Sequence, residues 1–463
     1  MNRLAATVMM LLMLVVLGLS AAPTLQASAA ERRAKLLRAI PEGILVVQSA
    51  DRSQPNLLEF MVPDTENHDF IYLTGVDRVR LPGSTLILNP RGQTFREILY
   101  TSDDVDRMKR LTGIEHVFPQ KQFADDLSSA LTDFRNLRIT QLRFKPVASD
   151  ISRGLGLEGT HKVIYWNYPR FTNLAEPANP RLDIVARLKS ASPEIDVRDA
   201  GELLDRARMV HDEYEIEQLR QAVRVTGQGL MEGMKAARPG VTTKQVGEIM
   251  DFVYRLNGGH LGFATGISSG PADPPVYATA REEMEAREGG SLIKAGELVH
   301  ADTGAEIRHY SADIQRIVPA DGRFTDEQKA FYNVVLGVQK AVIARVKPGV
   351  TWWDLHNLAM QMLKDAGGLD QSYTYGIGHF IGMEVHDQGD YLRPLEPGMV
   401  LAIEQGAIKN GTRVAFEDDV LVTATGHEWL SRFIPIEIDE VEKLRTQPAI
   451  IDPARLLVRP GGQ

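Results

Sequence analysis

Pro239-Gly240-Val241-Thr242 recurs further along the chain as Pro348-Gly349-Val350-Thr351. The first copy closes a stretch in which Ile216, Leu219, Val223, Leu230 and Met234 fall on one apolar helical face. Thr242 with Gln245 forms a capping box, which opens a second helix running to Gly258-Gly259. The second copy follows a helix that starts near Thr325 and Gln328, and the next helix stops at Gly367-Gly368. The Gly-Gly pair follows the Thr at the same spacing in both copies. A Pro-Gly after a helix is ordinary; the matched helix, cap and stop mark an internal duplication.

Each half then ends in a candidate β-hairpin. Glu297 to Glu306 and Arg308 to Val318 flank a turn in the first. In the second, Met399 to Ile408 and Arg413 to Thr423 flank Lys409-Asn410-Gly411, an Asn-Gly turn signal. The expected unit is helix, helix, hairpin, present twice and facing itself, so a site between the halves draws ligands from both.

The acids fall on these hairpins. Asp302 lies in Leu298-Val299-His300-Ala301-Asp302 and Asp313 in Ser311-Ala312-Asp313-Ile314. Glu404 follows Leu401-Ala402-Ile403, and Glu417 follows Ala415-Phe416. Each hairpin thus carries two acids, at closely similar separations. A single Asp in a strand ordinarily faces water. Four acids among apolar strand residues, equivalently paired in two repeats, are costly to bury unless something positive compensates them. A metal pair is the economical compensation. His379 and His386 lie in Gly378-His379-Phe380-Ile381-Gly382-Met383-Glu384-Val385-His386-Asp387. One His added to the four acids makes a mostly oxygen set of five, suited to Mn, Co, Fe or Zn.

Outward from this region, residues from about 30 to 200 read as an α/β domain. Ile44 to Gln48 and Thr85 to Asn89 are short apolar runs expected to be strands, Thr101 to Leu111 is expected to be helical, and Tyr168 to Pro180 a loop. At the start, Arg3, the apolar run Leu4 to Leu19 and Ala27-Ser28-Ala29 have the layout of a signal peptide with an A-x-A cleavage site. About 16 apolar residues are short for a bilayer span. The expected organisation is a signal peptide over 1–29, an N-terminal domain over 30–200, a catalytic domain over 201–445 and a tail over 446–463. The mature chain is then exported, periplasmic or secreted, without stable membrane insertion. The chain has 463 residues, 43% of them hydrophobic, enough for two substantial cores. A formal net charge of -9 argues against a nucleic-acid partner, and the chain has no cysteine.

The order Asp, Asp, His, Glu, Glu, in these surroundings, resembles the "pita-bread" catalytic domain of methionine aminopeptidase, aminopeptidase P and prolidase. The matching motifs are Ala301-Asp302-Thr303-Gly304, Ser311-Ala312-Asp313-Ile314-Gln315-Arg316, His379 through Asp387, Pro397-Gly398-Met399 with Glu404, and Phe416-Glu417-Asp418-Asp419. His68-Asp69-Phe70-Ile71-Tyr72-Leu73-Thr74-Gly75 is similar to the N-terminal domain of aminopeptidase P and bacterial prolidases. The resemblance implies an α+β fold, an N-terminal α/β domain followed by the duplicated catalytic domain. It further implies two divalent metal ions (Mn, Co, Zn or Fe). Asp302 holds one ion, His379 and Glu404 the other, and Asp313 and Glu417 bridge them. It also implies a metal-activated water as nucleophile, Glu404 as proton shuttle and His386 as donor to the carbonyl or its oxyanion. The implied substrate is a short peptide, with Xaa-Pro bonds preferred, and the implied assembly a homodimer.

Four positions depart from the family pattern. Tyr375, shortly before the metal His, and Tyr277 stand where the family usually carries His; Tyr keeps a donor but is no base at neutral pH. Ala415 stands where many relatives have Arg, with Arg413 expected to take its place, and Gln405 follows Glu404 where Pro is usual. Tyr277, Tyr375 and Arg413 are therefore the candidate substrate-binding residues. The departures leave open a dipeptidase or carboxypeptidase that reads a terminal carboxylate. Other classes on the same fold are a non-catalytic peptide-binding protein and a metal-free, creatinase-like hydrolase; the intact ligand set argues against both.

Overall fold

Thr24 opens the first described helix, α1 (Leu25–Ala39), by accepting a hydrogen bond from the Ala27 N–H on its side chain. The computed structural model describes residues 24–49, 67–76, 83–92, 95–128, 163–168, 182–271, 290–372 and 376–453. Ala27-Ser28-Ala29 lies in the first turns of α1, with Ser28 and Ala29 buried. The run Leu4 to Leu19, the loop from 169 to 180, Tyr277 and Tyr375 lie outside the described residues.

The N-terminal sheet is built from β1 (Ile44–Gln48), β2 (Ser84–Leu88), β3 (Glu97–Thr101), β4 (His116–Pro119), β5 (Val163–Trp166) and β6 (Asp196–Asp199), in the order β4-β3-β2-β1-β5-β6. It is mixed: β2 runs antiparallel to β1 and β3, while β4, β5 and β6 join in parallel. Its centre is buried on both faces, as the uninterrupted apolar run of β1 requires. Leu45 and Val47 join the main core; Ile44 and Val46, pointing the other way, pack with Ile87, Ile98 and Tyr100. Around the sheet lie α2 (His68–Thr74), α3 (Val105–Thr112), α4 (Asp183–Ala191) and α5 (Gly201–Met209). The helix expected from Thr101 begins instead at Val105. Thr101 still pairs with Ser84 in the sheet, and the Asp104 side chain caps the helix by accepting from Arg107 N–H at 2.7 Å.

The second half shows the duplication in its helices, α6 (Glu213–Ala236) with α7 (Thr243–Leu256), and α8 (Asp326–Arg345) with α9 (Trp352–Asp365). All four start with a reciprocal capping box, at Asp212/Glu215, Thr242/Gln245, Thr325/Gln328 and Thr351/Asp354. Each cap stabilises its helix by about 1 kcal/mol. Leu219, Val223, Leu230 and Met234 are buried, as their spacing predicts, and Ile216 at the start of the same face is half-buried against the core. Gly233 lets α6 and α7 touch, because a Cβ there would lie 2.0 Å from the Met250 side chain.

A seven-stranded sheet follows, made of β8 (Gly266–Ser269), β9 (Leu298–Thr303), β12 (Ile314–Pro319), β13 (Gly378–Phe380), β14 (Val400–Lys409), β15 (Thr412–Val422) and β16 (His427–Trp429). Their order is β13-β14-β15-β12-β9-β8, with β16 paired to β15. The last helix is α10 (Ile438–Arg445). The second hairpin is continuous, and its turn residues Asn410 and Gly411 have φ of 53° and 76°, as a tight type I′ turn needs. The first expected hairpin is broken. β10 (Ala305–Ile307) and β11 (Tyr310–Ser311) leave the large sheet and pair with β7 (His260–Leu261) in a small one. Gly304 permits the break, since a Cβ there would fall 1.7 Å from the Ala312 carbonyl oxygen. Asp313 therefore lies in the gap before β12, whereas a place inside a strand was expected.

Candidate metal centre

Strand register brings the acids together. Gln315 on β12 is opposite both Asp302 on β9 and Glu417 on β15, and Glu417 is opposite Glu404 on β14. Directly opposed side chains share a face, so one row across four strands presents three carboxylates and a carboxamide. Gln315 Nε2 donates to Asp302 Oδ2 at 3.2 Å. Asp313 is held from behind, its backbone N–H donating to Asp419 Oδ2 at 3.2 Å.

His379 enters from β13, opposite Ala402. Gly378 before it has φ 133°, and a Cβ there would lie 1.9 Å from the Ala402 oxygen, so only glycine allows this approach. His379 Nδ1 lies 3.1 Å from the Phe380 carbonyl oxygen. A proton held there leaves the Nε2 lone pair for the site, which is how metal-binding histidines are usually oriented. Nε2 is 3.5 Å from Asp313 Oδ2 and 3.4 Å from Glu417 Oε1. Potential ligand atoms of Asp302, Asp313 and Glu417 lie within 4.8 Å of one another, as do those of His379, Glu404 and Glu417, and those of Asp313, His379 and His386.

The electrostatics favour a cation. Burial, then the neighbouring charges of Asp313 and Glu404, push the Asp302 and Glu417 carboxyls well above the usual range. Burial raises Glu404 as well, and burial followed by the Asp313 charge raises Asp419. Burial alone would lower His379; its contacts with Asp313 and Glu417 outweigh it and raise the imidazole. Protein charges thus oppose the joint ionisation of these acids. Asp313 Oδ1 is buried with no hydrogen-bond partner among the described residues. Oxygen-rich, crowded and with an orphaned carboxylate oxygen, the set fits divalent ions.

His386 stacks on His379, rings 3.8 Å apart and 12° from parallel. His386 keeps an exposed edge; crowding of its ring by protein, then the neighbouring His379, lowers it to about 4, so it is neutral at neutral pH and retains an N–H to donate. Arg413 lies on the same strand as Ala415, and its charge favours the ionised forms of Asp302 and Glu404. Ala415 is opposite Gly406, and a Cβ added to Gly406 would lie 3.1 Å from the Ala415 methyl. Gln405 is buried and its amide donates to the carbonyls of Glu404, at 2.6 Å, and Ile377, at 3.4 Å.

Sequence spacing assigns no role to the residues that support this row. Arg316 and Asp418 form a fully buried pair at 2.5 Å beneath it, and Gln339 and Ser431 also donate to Asp418. The signal was present in the polar residues flanking the ligands, Gln315-Arg316 and Asp418-Asp419, which are as unusual in apolar strands as the ligands themselves.

Two capped helix pairs and one sheet that gathers these groups make up a candidate metal-binding domain, and its class is that of a metallopeptidase. Residues 217–424 match metallopeptidase family M24, and residues 29–138 match the aminopeptidase P N-terminal domain. The chain belongs to the aminopeptidase P family, and divalent metal ions are its cofactors. It is 27% identical over 451 residues to the mitochondrial intermediate cleaving peptidase 55 of Arabidopsis thaliana, covering 89% of this chain and 81% of that one. It is 27% identical over 428 residues to Xaa-Pro aminopeptidase 3 of Mus musculus, covering 82% and 76%. Aminopeptidase PepP of Pseudomonas aeruginosa shares the fold with a TM-score of 0.71 at 24% identity, covering 91% of this chain and 98% of that structure.

Proposed function

We propose that this metallopeptidase holds two divalent ions and hydrolyses short peptides at Xaa-Pro bonds, releasing the N-terminal residue. The observation that carries the reading is the overlap of the two triads: Asp302-Asp313-Glu417 and His379-Glu404-Glu417 share a carboxylate. Asp302, Asp313, His379, Glu404 and Glu417 would hold the ions. Bound there, such ions lower the pKa of water and polarise a carbonyl. Glu404, at the half-buried edge of the row, accepts and passes on the proton. His386, neutral and stacked on His379, donates to the substrate oxygen. The names of the relatives support the Xaa-Pro preference. Manganese is the proposed metal, and the proposed assembly is a homodimer.

The test is metal analysis combined with product profiling from a mixed peptide library. Two equivalents of metal and release of residues preceding Pro are expected. Less than one equivalent, with no peptidase activity after adding Mn, Co or Zn, overturns the proposal. Export rests on the segment 1–29; N-terminal sequencing of protein recovered outside the cytoplasm tests it. Among the described residues no helix is long and apolar enough to cross a membrane.

A further inference from the structure

We infer that Arg208 is a positioning residue of the catalytic centre, fixing through Asp387 the loop that holds His386 against His379. The inference rests on the role proposed for His386. Arg208 lies at the end of α5, in the segment that joins the two domains, and its side chain is fully buried. Nη2 donates to Asp387 Oδ1 at 2.6 Å and to Glu384 Oε1 at 3.2 Å; Nη1 donates to Asp69 Oδ1, on α2, at 2.9 Å.

Asp387 works in two directions. Its Oδ2 accepts from Met383 N–H at 2.7 Å, closing the loop on itself. Its backbone N–H donates to the Phe380 carbonyl at 2.9 Å, tying together the two ends of the segment that His379 and His386 flank. That carbonyl also lies 3.1 Å from His379 Nδ1. One oxygen thus sets both the tautomer of His379 and the return of the chain to His386. His211, just beyond Arg208, meets the same loop, its Nε2 3.0 Å from the Ile381 carbonyl oxygen. Gly382 packs against both anchors, for a Cβ there would lie 2.2 Å from Asp387 Oδ2 and 2.8 Å from His211 Cε1. A planar guanidinium suits this place because it meets three carboxylates in fixed directions, which an ammonium does not. Through Asp69, the N-terminal domain becomes part of the support of the site.

The experiment is a double-mutant cycle on the metal-loaded full chain, with a Xaa-Pro peptide. Arg208→Met is expected to lower kcat about 10- to 100-fold, in the range of other outer-shell changes, with KM and bound metal unchanged. In the His386→Ala background the same change is expected to cost little, because its effect acts through His386. Multiplying losses in the double variant, or an unchanged kcat in Arg208→Met, overturns the inference. Wild-type kcat in His386→Ala alone overturns the role of His386, and the inference with it. Should Arg208→Met not fold, Arg208→Lys decides: it keeps the charge and loses the fork, so kcat falls with metal retained, and an unchanged kcat overturns the inference.

Discussion

Glu404 and Glu417 stand directly opposite one another on β14 and β15, in the middle of a long antiparallel ladder. Like charges so placed destabilise a sheet, so the fold carries a local cost that a bound cation removes. Chelation should therefore lower the melting temperature, and metal at about 100 times its Kd should restore about 2.7 kcal/mol. In chelator, Glu417→Gln should melt higher than the wild type, because it removes the repulsion. Thermal melts with and without chelator check this, and a Glu417→Gln that melts lower in chelator is evidence against it.

Gln315→Ala should weaken metal binding about 10- to 100-fold while leaving the fold intact. Its amide aligns Asp302 through a 3.2 Å hydrogen bond. Competition against a chelating dye measures the affinity, and wild-type binding would remove Gln315 from the support of the site.

Arg316→Met should destabilise the protein by about 3–5 kcal/mol, the usual cost of leaving a buried charge without its partner. Both Arg316 and Asp418 are completely buried. Urea denaturation of the variant gives the number directly. A loss under about 1 kcal/mol would mean that Gln339 and Ser431 suffice to hold Asp418.

Stability should depend on pH through His211 and Glu215, whose side chains meet at 3.2 Å. Burial alone would raise Glu215, but Arg32 and His211 outweigh it and its pKa is lowered. Its contribution is present above the unfolded value of about 4.3 and is lost as pH falls through the lower folded value. Burial alone would lower His211, but Glu215 outweighs it and its pKa is raised. That contribution is complete below about pH 6.5 and fades as pH rises through the folded value. Denaturation midpoints should peak between these limits, and His211→Asn should flatten the alkaline side. An unchanged alkaline slope in the variant counts against the pair.

Tyr375→His should change peptide specificity or rate with the metal retained, since it restores a base where the family pattern has one. Identical profiles for the variant and the wild type would make Tyr375 irrelevant to the pocket.

Local chemistry explains what was legible in the sequence. Thr242 with Gln245, the Gly-Gly stops and Asn410-Gly411 act within a few residues, so the helices and the second hairpin could be read directly. The acids stood out because apolar strands rarely tolerate them. The break at Gly304 was invisible, because it depends on β10 pairing with the distant His260–Leu261. Gln315 acquires its meaning only from the register of three strands. Arg208 and Asp387 are far apart in the chain, and no spacing rule links them.

The row Asp302, Gln315, Glu417 and Glu404 crosses the boundary between the repeats, which meet where β12 runs beside β15. Neither repeat alone owns a working centre. Metal capture by this row would then wait until both halves have docked, and an ion seated across that boundary would rivet one half to the other. Occupancy would then report on completed assembly, and a chain with one misfolded repeat would announce itself by failing to load.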